Sequence, residues 1–255
     1  MFFEPICSYT IRLTIFTVFG YCRIEIKRVP LPLNTVLERN GMTSSKKYKE
    51  LSIDEFTRAA DKYESKNAGV YNICKKDYPD ILAEVEKEPF THLLDAGCGT
   101  GPMISLLSER YPNAQFTGID LTPKMIEVAR SKHLPNATFV CCDCENMPFE
   151  PETFDVAICS QSFHHYPNPL TFLQEVHRCL RPNGRLILRD MTVGNRFIHW
   201  FVNKIELPVL NRLGYGDVHC YNQPELQELC DAAHLMLESF ERRRGLKLHA
   251  VIRKR

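Results

Sequence analysis

Residues 93–101, LLDAGCGTG, carry an apolar run straight into three glycines at alternate positions. No other stretch constrains the fold as tightly. A buried strand that turns sharply into a helix needs residues free to take positive φ, and the helix start offers unpaired N–H groups to whatever lies above the turn. Gly97, Gly99 and Gly101 therefore predict a strand, a ligand-binding turn and a helix in succession. A bare G-x-G-x-G also serves dinucleotides or merely turns a chain, so two acids sharpen the reading. Asp95 stands two residues before the first glycine, where a carboxylate can order the loop and hold a cationic ligand. Asp120 ends the next apolar run, where an acid can take both hydroxyls of a ribose.

The pattern around this turn alternates. HLLDAG (92–97) reads as a strand, TGPMISLLSERY (100–111) as a helix, AQFTGID (114–120) as a strand, and TPKMIEVARSKH (122–133) as a helix with Thr122 as cap and Pro123 in its first turn. The strands TFVCCD (138–143) and FDVAICS (154–160), the helix PLTFLQEVHRCL (169–180) and the strand RLILRDM (185–191) continue it. Such alternation predicts an α/β fold, a doubly wound Rossmann-like sheet, mostly parallel, with helices on both faces. PELQELCDAAH (224–234) then reads as a helix, and MLESFERRR and LKLHAVIRK as an antiparallel pair separated near Gly245, which makes the last strand antiparallel. Ahead of the sheet, Ser52 and Glu55 have capping-box spacing, Phe56, Ala59, Ala60 and Tyr63 keep a helical rhythm, and a second helix over about 71–87 stops before Pro89. The expected division is an extension with little role in the fold (1–41), an N-terminal helical lid (42–90), and a catalytic domain (91–255) with an insertion near 195–222.

Charge narrows the choice of partners. Lys and Arg number 32 against 31 Asp and Glu, so no net field demands nucleic acid or an anionic membrane; the basic tail from Arg242 to Arg255 reads as a solvated face. Eleven cysteines without a regular framework suit a reducing cytosol, and the location read from them is cytoplasmic. The apolar run IRLTIFTVFGYC (11–22) would span only about 18 Å as a helix, too short for the ~30 Å of a bilayer core. No small-x-small cleavage site follows it, and Met42 is the expected start of the working protein.

FVCCDCENMPFE (139–150) gathers Cys141, Cys142 and Cys144 around Asp143. Neighbours on a strand point to opposite faces, and no nearby CxxC pair completes a tetrahedral set, so no metal site is read here.

The motifs resemble those of the class I S-adenosylmethionine-dependent methyltransferases, in particular the group with the ubiquinone and menaquinone C-methyltransferases and many small-molecule enzymes (the methyltransferase type 11 domain). DAGCGTG (95–101) is similar to the first motif and GIDLTPKMIEVA (118–129) to the second. CDCENMPF (142–149), FDVAICSQSFHH (154–165) and LRPNGRLIL (180–188) match the following segments in order. The resemblance implies S-adenosyl-L-methionine as cofactor, S-adenosyl-L-homocysteine as product, and a small-molecule acceptor. It implies that Asp95, Gly97, Gly99 and Ser160 lie against the amino acid part of the cofactor, and that Cys98 and Gly101 belong to the cofactor-binding set. Asp120 would take the ribose, and Leu121, Asp143, Cys144 and Met147 the adenine. Phe56 and Tyr63 resemble an aromatic lid over the cofactor.

Methyl transfer is a direct displacement at a sulfonium carbon, which positioning and desolvation can accelerate. An oxygen or nitrogen acceptor needs a base, and His164 and His165 border the acceptor space; adjacent side chains diverge, so one at most is expected to point into it. Phe197, Trp200, Phe201, Tyr215 and Tyr221 in the insertion are expected to cover the acceptor. SQSF (160–163) stands where amino-methylating DNA enzymes carry Asn/Asp-Pro-Pro-Tyr/Phe, which argues against DNA, and no basic stripe interleaved with aromatics supports RNA. Two other readings stay open: a non-catalytic module that only binds the cofactor, and an NAD-dependent oxidoreductase.

Overall fold

Two separate units make up the chain, residues 1–47 and 48–255. The computed structural model describes residues 11–17, 20–26, 44–65, 72, 74–243 and 246–255. In the first unit β1 (Ile11–Thr17) and β2 (Gly20–Ile26) pair antiparallel, with Ile11 opposite Ile26 and Thr17 opposite Gly20. The expected start at Met42 and the turn at Gly245 lie outside the described residues. No helix among the described residues is long and apolar enough to cross a membrane.

Before the sheet, α1 runs over Ser44–Ala59 and ends in a 3₁₀ turn, Ala60–Lys62. The capping-box reading fails here, because Ser52 and Glu55 lie inside α1 rather than at its start. Their spacing also places two residues on one helix face; Ser52 is buried beside Gly216, and Glu55 accepts the Gly216 N–H at 3.3 Å. The second expected helix is shorter. A 3₁₀ turn, Lys75–Asp77, leads into α2 (Tyr78–Val85), whose first turn holds Pro79.

Next come β3 (His92–Ala96), α3 (Pro102–Arg110), β4 (Gln115–Asp120), α4 (Pro123–Arg130), β5 (Ala137–Cys141), β6 (Phe154–Ser160), α5 (Pro169–Cys179) and β7 (Leu180–Met191). After β7 a helical stretch, α6 (Arg196–Phe201), one π turn (Val202–Glu206) and α7 (Leu207–Arg212), precedes α8 (Gln223–Ala232), β8 (Leu235–Arg243) and β9 (Lys247–Lys254). The seven strands of this unit take the order β5-β4-β3-β6-β7-β9-β8. β3 to β7 are parallel, with a helix in every crossover but the one from β5 to β6; β9 alone runs against its neighbours. The order reverses between β3 and β6. That switch point opens a crevice at the carboxyl ends of the strands.

Both faces of the sheet are covered, so its central strands are apolar throughout. Leu93 packs on one side with Ile104, Leu107, Phe116, Ile126 and Phe139; its neighbour Leu94 packs on the other with Ile119, Phe163, Phe172 and Leu186. Each such side chain contributes about 1.5–3 kcal/mol by leaving water.

The basic tail is a solvated face only in part, at Arg242, Arg243 and Arg255. β9 is an interior strand with Leu248, Ala250, Val251 and Ile252 buried, and its cations are tied down: Arg253 to Glu88 and Glu238, Lys254 to the Leu180 carbonyl at 2.7 Å, and Lys247 to Asp77. Asp77 is fully buried and also meets Arg189 of β7 at 3.0 Å and the Gln161 amide at 2.9 Å. This network fastens the segment ahead of the sheet beneath the crevice.

Candidate active site

Four strand ends meet at the switch point. β3 delivers Asp95, β4 ends on Asp120, β6 ends on Ser160, and the chain leaving β5 carries Asp143 and Cys144. Between them the glycine turn is pinned to β4, with the N–H groups of Gly97 and Cys98 donating to the Ile119 carbonyl at 2.8 and 2.9 Å. Gly97 has φ of 78°, and a Cβ there would lie 2.0 Å from Ser162 Oγ. Only glycine satisfies both conditions.

Asp120 is held by the backbone on either side. Gly99 N–H donates to Oδ2 at 3.0 Å and Thr122 N–H to Oδ1 at 2.8 Å. Thr122 occupies the N-cap position of α4 as expected, but its hydroxyl makes no capping bond. Each carboxylate oxygen keeps a lone pair for a further donor. Burial drives the Asp120 pKa up even though these N–H groups pull it down. Asp95 is buried too; burial first, then the charge of Asp120, pushes it up to about 7.

Two adjoining hollows of about 60 and 50 Å³ share Phe56, Gly97, Asp120, Ser162 and His165. The first reaches Tyr63, Asp95, Cys98, Gly99 and Ser160; the second reaches Leu121, Asp143 and Cys144. The structure thus brings most of the expected residues to one cleft. Two it does not. Met147 is buried in the core and spends its N–H on Glu175 at 2.7 Å, while Gly101 sits behind the turn against the Phe139 ring. Both residues follow the motif pattern yet support the site from behind.

The cleft suits an adenosyl amino acid on its own features. Ser160 Oγ is buried without a hydrogen-bond partner and borders the first hollow, and Gly99 leaves a cradle bounded by the Tyr63 ring, 3.7 Å from where a Cβ would sit. Asp143 carries an interaction the sequence reading missed: Lys49 of α1 binds it at 2.6 Å and also pairs with Glu145. No local motif signals Lys49, because the partners sit on elements far apart in the chain. The three neighbouring thiols diverge, Cys141 toward the Leu121 carbonyl at 3.7 Å and Cys144 beside the Tyr166 hydroxyl at 3.3 Å.

Of the two histidines only His165 borders the cleft, but the pair converges on Asp217 instead of diverging. Residues Phe163–His165 form a 3₁₀ turn rather than a strand, so the two rings lie 4.1 Å apart and both face Asp217. His164 is buried, with Nδ1 2.7 Å from Asp190 Oδ1 and its backbone N–H donating to Oδ2 at 3.1 Å. Burial lowers its pKa, but Asp190, Asp217 and Glu55 outweigh that and raise it to about 9. His165 borders both hollows and meets the Phe56 ring edge-on at 5.2 Å; burial and the charge on His164 lower it to about 4. Burial, then Asp217, holds Glu55 up at about 7.

The insertion reaches the cleft through a different part than expected. Phe197 and Trp200 are 71% and 51% exposed and stack on each other at the surface, and Tyr221 is buried against Phe163. Gly216 and Asp217 are what come up against Glu55, His164 and His165.

Comparison with known proteins accords with this geometry. Residues 94–188 match the family model described as a methyltransferase domain. The demethylmenaquinone methyltransferase of Thermotoga maritima is 31% identical over 184 residues, covering 69% of this chain and 79% of that protein. The phthiotriol/phenolphthiotriol dimycocerosates methyltransferase of Mycobacterium leprae is 40% identical over 112 residues, and the match spans 42% of that protein's length and 44% of this chain. Among solved structures, the 1,6-didemethyltoxoflavin-N1-methyltransferase of Burkholderia thailandensis, with 1,6-didemethyltoxoflavin and S-adenosylhomocysteine bound, superposes with a TM-score of 0.62 at 20% identity, covering 89% of this chain and 94% of that one.

Proposed function

The chain belongs to the class I S-adenosylmethionine-dependent methyltransferases, and on that footing we propose that it transfers a methyl group to a small-molecule acceptor. The observation that carries the proposal is the meeting of Asp95, Asp120, Asp143 and Ser160 with the glycine turn at one switch-point cleft. S-adenosylmethionine, when bound, supplies an electrophilic methyl group for direct displacement and leaves as S-adenosylhomocysteine.

The chain's own residues bind, orient and exclude water. Asp95 offers a carboxylate to an ammonium group, and Gly97, Cys98, Gly99, Ser160 and Tyr63 line the space beside it. Asp120, its carboxylate already fixed by two backbone N–H groups, is set to accept from vicinal hydroxyls. Leu121, Asp143 and Cys144 bound the far end, where an adenine would lie. The two hollows are far smaller than the ~300 Å³ and upward of a ligand site, so α1 must give way as ligand enters and cover it afterwards. This supports residues 42–90 as a lid, with Phe56 and Lys49 as its inner face. Water exclusion of this kind favours a displacement whose charge is dispersed in the transition state.

On the acceptor side His165, not His164, borders the cleft, because Asp190 and the backbone hold His164 away from it. His165 is therefore the residue proposed to meet the acceptor. A cytoplasmic location is supported by nine free cysteines among the described residues. The ion pairs that engage Lys247 and Arg253 support a small molecule over DNA or RNA.

The test is calorimetric titration of S-adenosylhomocysteine into the wild-type chain and Asp120→Ala, with NADH as control. Binding to the wild type, weakened at least tenfold (~1.4 kcal/mol) in the variant, is expected; preference for NADH would overturn the proposal. Incubation with methyl-labelled cofactor and a cell extract then separates an enzyme from a binding module, since label must appear in a small molecule.

A further inference from the structure

Beside the cofactor cleft, three groups that can ligate a metal converge from two distant parts of the chain. His164 Nε2 and His165 Nδ1 each lie 3.4 Å from Asp217 Oδ1, and the three atoms all fall within 4.8 Å of one another. Ligand atoms about 2.0–2.2 Å from a tetrahedral ion are separated by about 3.3–3.6 Å, which the two histidine–carboxylate distances match.

The surroundings supply what such a site needs. Asp190 lies 2.7 Å from His164 Nδ1, which turns Nε2 toward Asp217, where an arriving ion would displace its proton, and a carboxylate behind a histidine is the usual support of a metal ligand. His165 Nδ1 is buried and makes no hydrogen bond. An unpaired polar atom in that position costs free energy unless something answers it. Glu55, tied to the Gly216 N–H at 3.3 Å, adds a further carboxylate to the same wall. Asp190, Asp217 and Glu55 thus bring three carboxyl groups around two imidazoles, a set of donors that can answer a bound cation.

We infer that His164, His165 and Asp217 form a binding site for one divalent cation of borderline softness, with an open coordination position toward the cleft that Phe56 and Ser162 border. Two imidazoles and one carboxylate suit zinc and its neighbours better than magnesium or calcium. The ion site stands on these residues alone; only its use, to hold a donor atom of the acceptor, rests on the methyltransferase reading. That use narrows the acceptor to molecules bearing a hydroxyl, thiol or amine close to the methylated position. A second histidine pair, His199 and His219 with Glu225, also comes together, but its groups are already engaged. His199 bonds the Cys220 carbonyl at 2.8 Å, and Glu225 closes the capping box of α8 with Asn222.

The full chain, stripped with a chelator and dialysed, is titrated with Co²⁺ while the visible d–d absorption is followed. One equivalent is expected, weakened at least tenfold in Asp217→Asn and in His165→Gln and unchanged in His219→Gln. Absence of binding, binding that survives both site variants, or binding lost with His219→Gln overturns the inference. Circular dichroism of the same four proteins reports folding, and S-adenosylhomocysteine titration of the wild-type chain and of His219→Gln keeps the two readings apart. A chain that binds the nucleoside and not Co²⁺ loses only the ion site; one that binds Co²⁺ and not the nucleoside loses only the methyltransferase reading.

Discussion

Gly97 and Asp95 show how much a single position near the switch point can decide. Replacing Gly97 by alanine sets a Cβ 2.0 Å from Ser162 Oγ at a φ of 78°, so both the turn and its neighbour must shift. Gly97→Ala should reduce S-adenosylhomocysteine affinity at least tenfold, and calorimetry checks it. Asp95 governs pH dependence. Its folded pKa of about 7 lies above the 3.8 of an ordinary aspartate, so the folded chain keeps a proton that the unfolded chain has lost. Stability linked to this group is fully present below about pH 4 and declines as pH rises toward 7. Asp95→Asn should remove that decline, seen as a smaller difference in Tm between pH 5 and pH 8. Ligand binding has the opposite slope, because an ammonium needs the ionised carboxylate. S-adenosylmethionine affinity should rise through pH 7 in the wild type and stay flat, and weaker, in the variant.

Among the elements, α2, β7 and β9 are joined by charges as well as by packing. Asp77, just ahead of α2, meets Arg189 of β7 and Lys247 of β9, and none of the three can reach water freely. Removing Asp77 leaves Lys247 without its carboxylate and Arg189 with Asp80 alone, a loss of about 3 kcal/mol, the low end for a broken buried pair. Asp77→Ala should lower unfolding stability by that amount in urea titrations followed by circular dichroism. The same elements show where sequence reading succeeds. The runs 92–97, 114–120 and 154–160 match their strands closely, because β strands buried on both faces need unbroken apolar residues. The capping-box spacing of Ser52 and Glu55 misled, since a four-residue pattern cannot tell a helix start from one helix face. Of the histidine pair one alone borders the cleft, as expected, but not because the two diverge: that depends on strand or 3₁₀ geometry, and SQSFHH carries no period that chooses between them.

Taken as one body, the second unit holds the seven-stranded sheet, both core layers and the described residues of the cleft. A chain begun at Met42 should therefore bind S-adenosylhomocysteine with the affinity of the full chain and melt within about 2 °C of it. Scanning calorimetry on both proteins tests this, and a drop of 10 °C would give the extension a structural role.

What could be read along the chain is what depends on neighbours in sequence: strands, crossover helices, the glycine turn, and the acids Asp95 and Asp120 at strand ends. These follow from periodicity and from the few residues that allow positive φ. Lys49 against Asp143 and Glu145, the partnership of His164 with Asp190, and the arrival of Asp217 beside both histidines could not be read that way. Each joins groups from separate elements, and their distances are set by how the sheet twists and how helices pack upon it. Whether a histidine is free, charged or poised to hold an ion depends on that packing, because burial and nearby carboxylates, rather than residue type, fix its electrostatics.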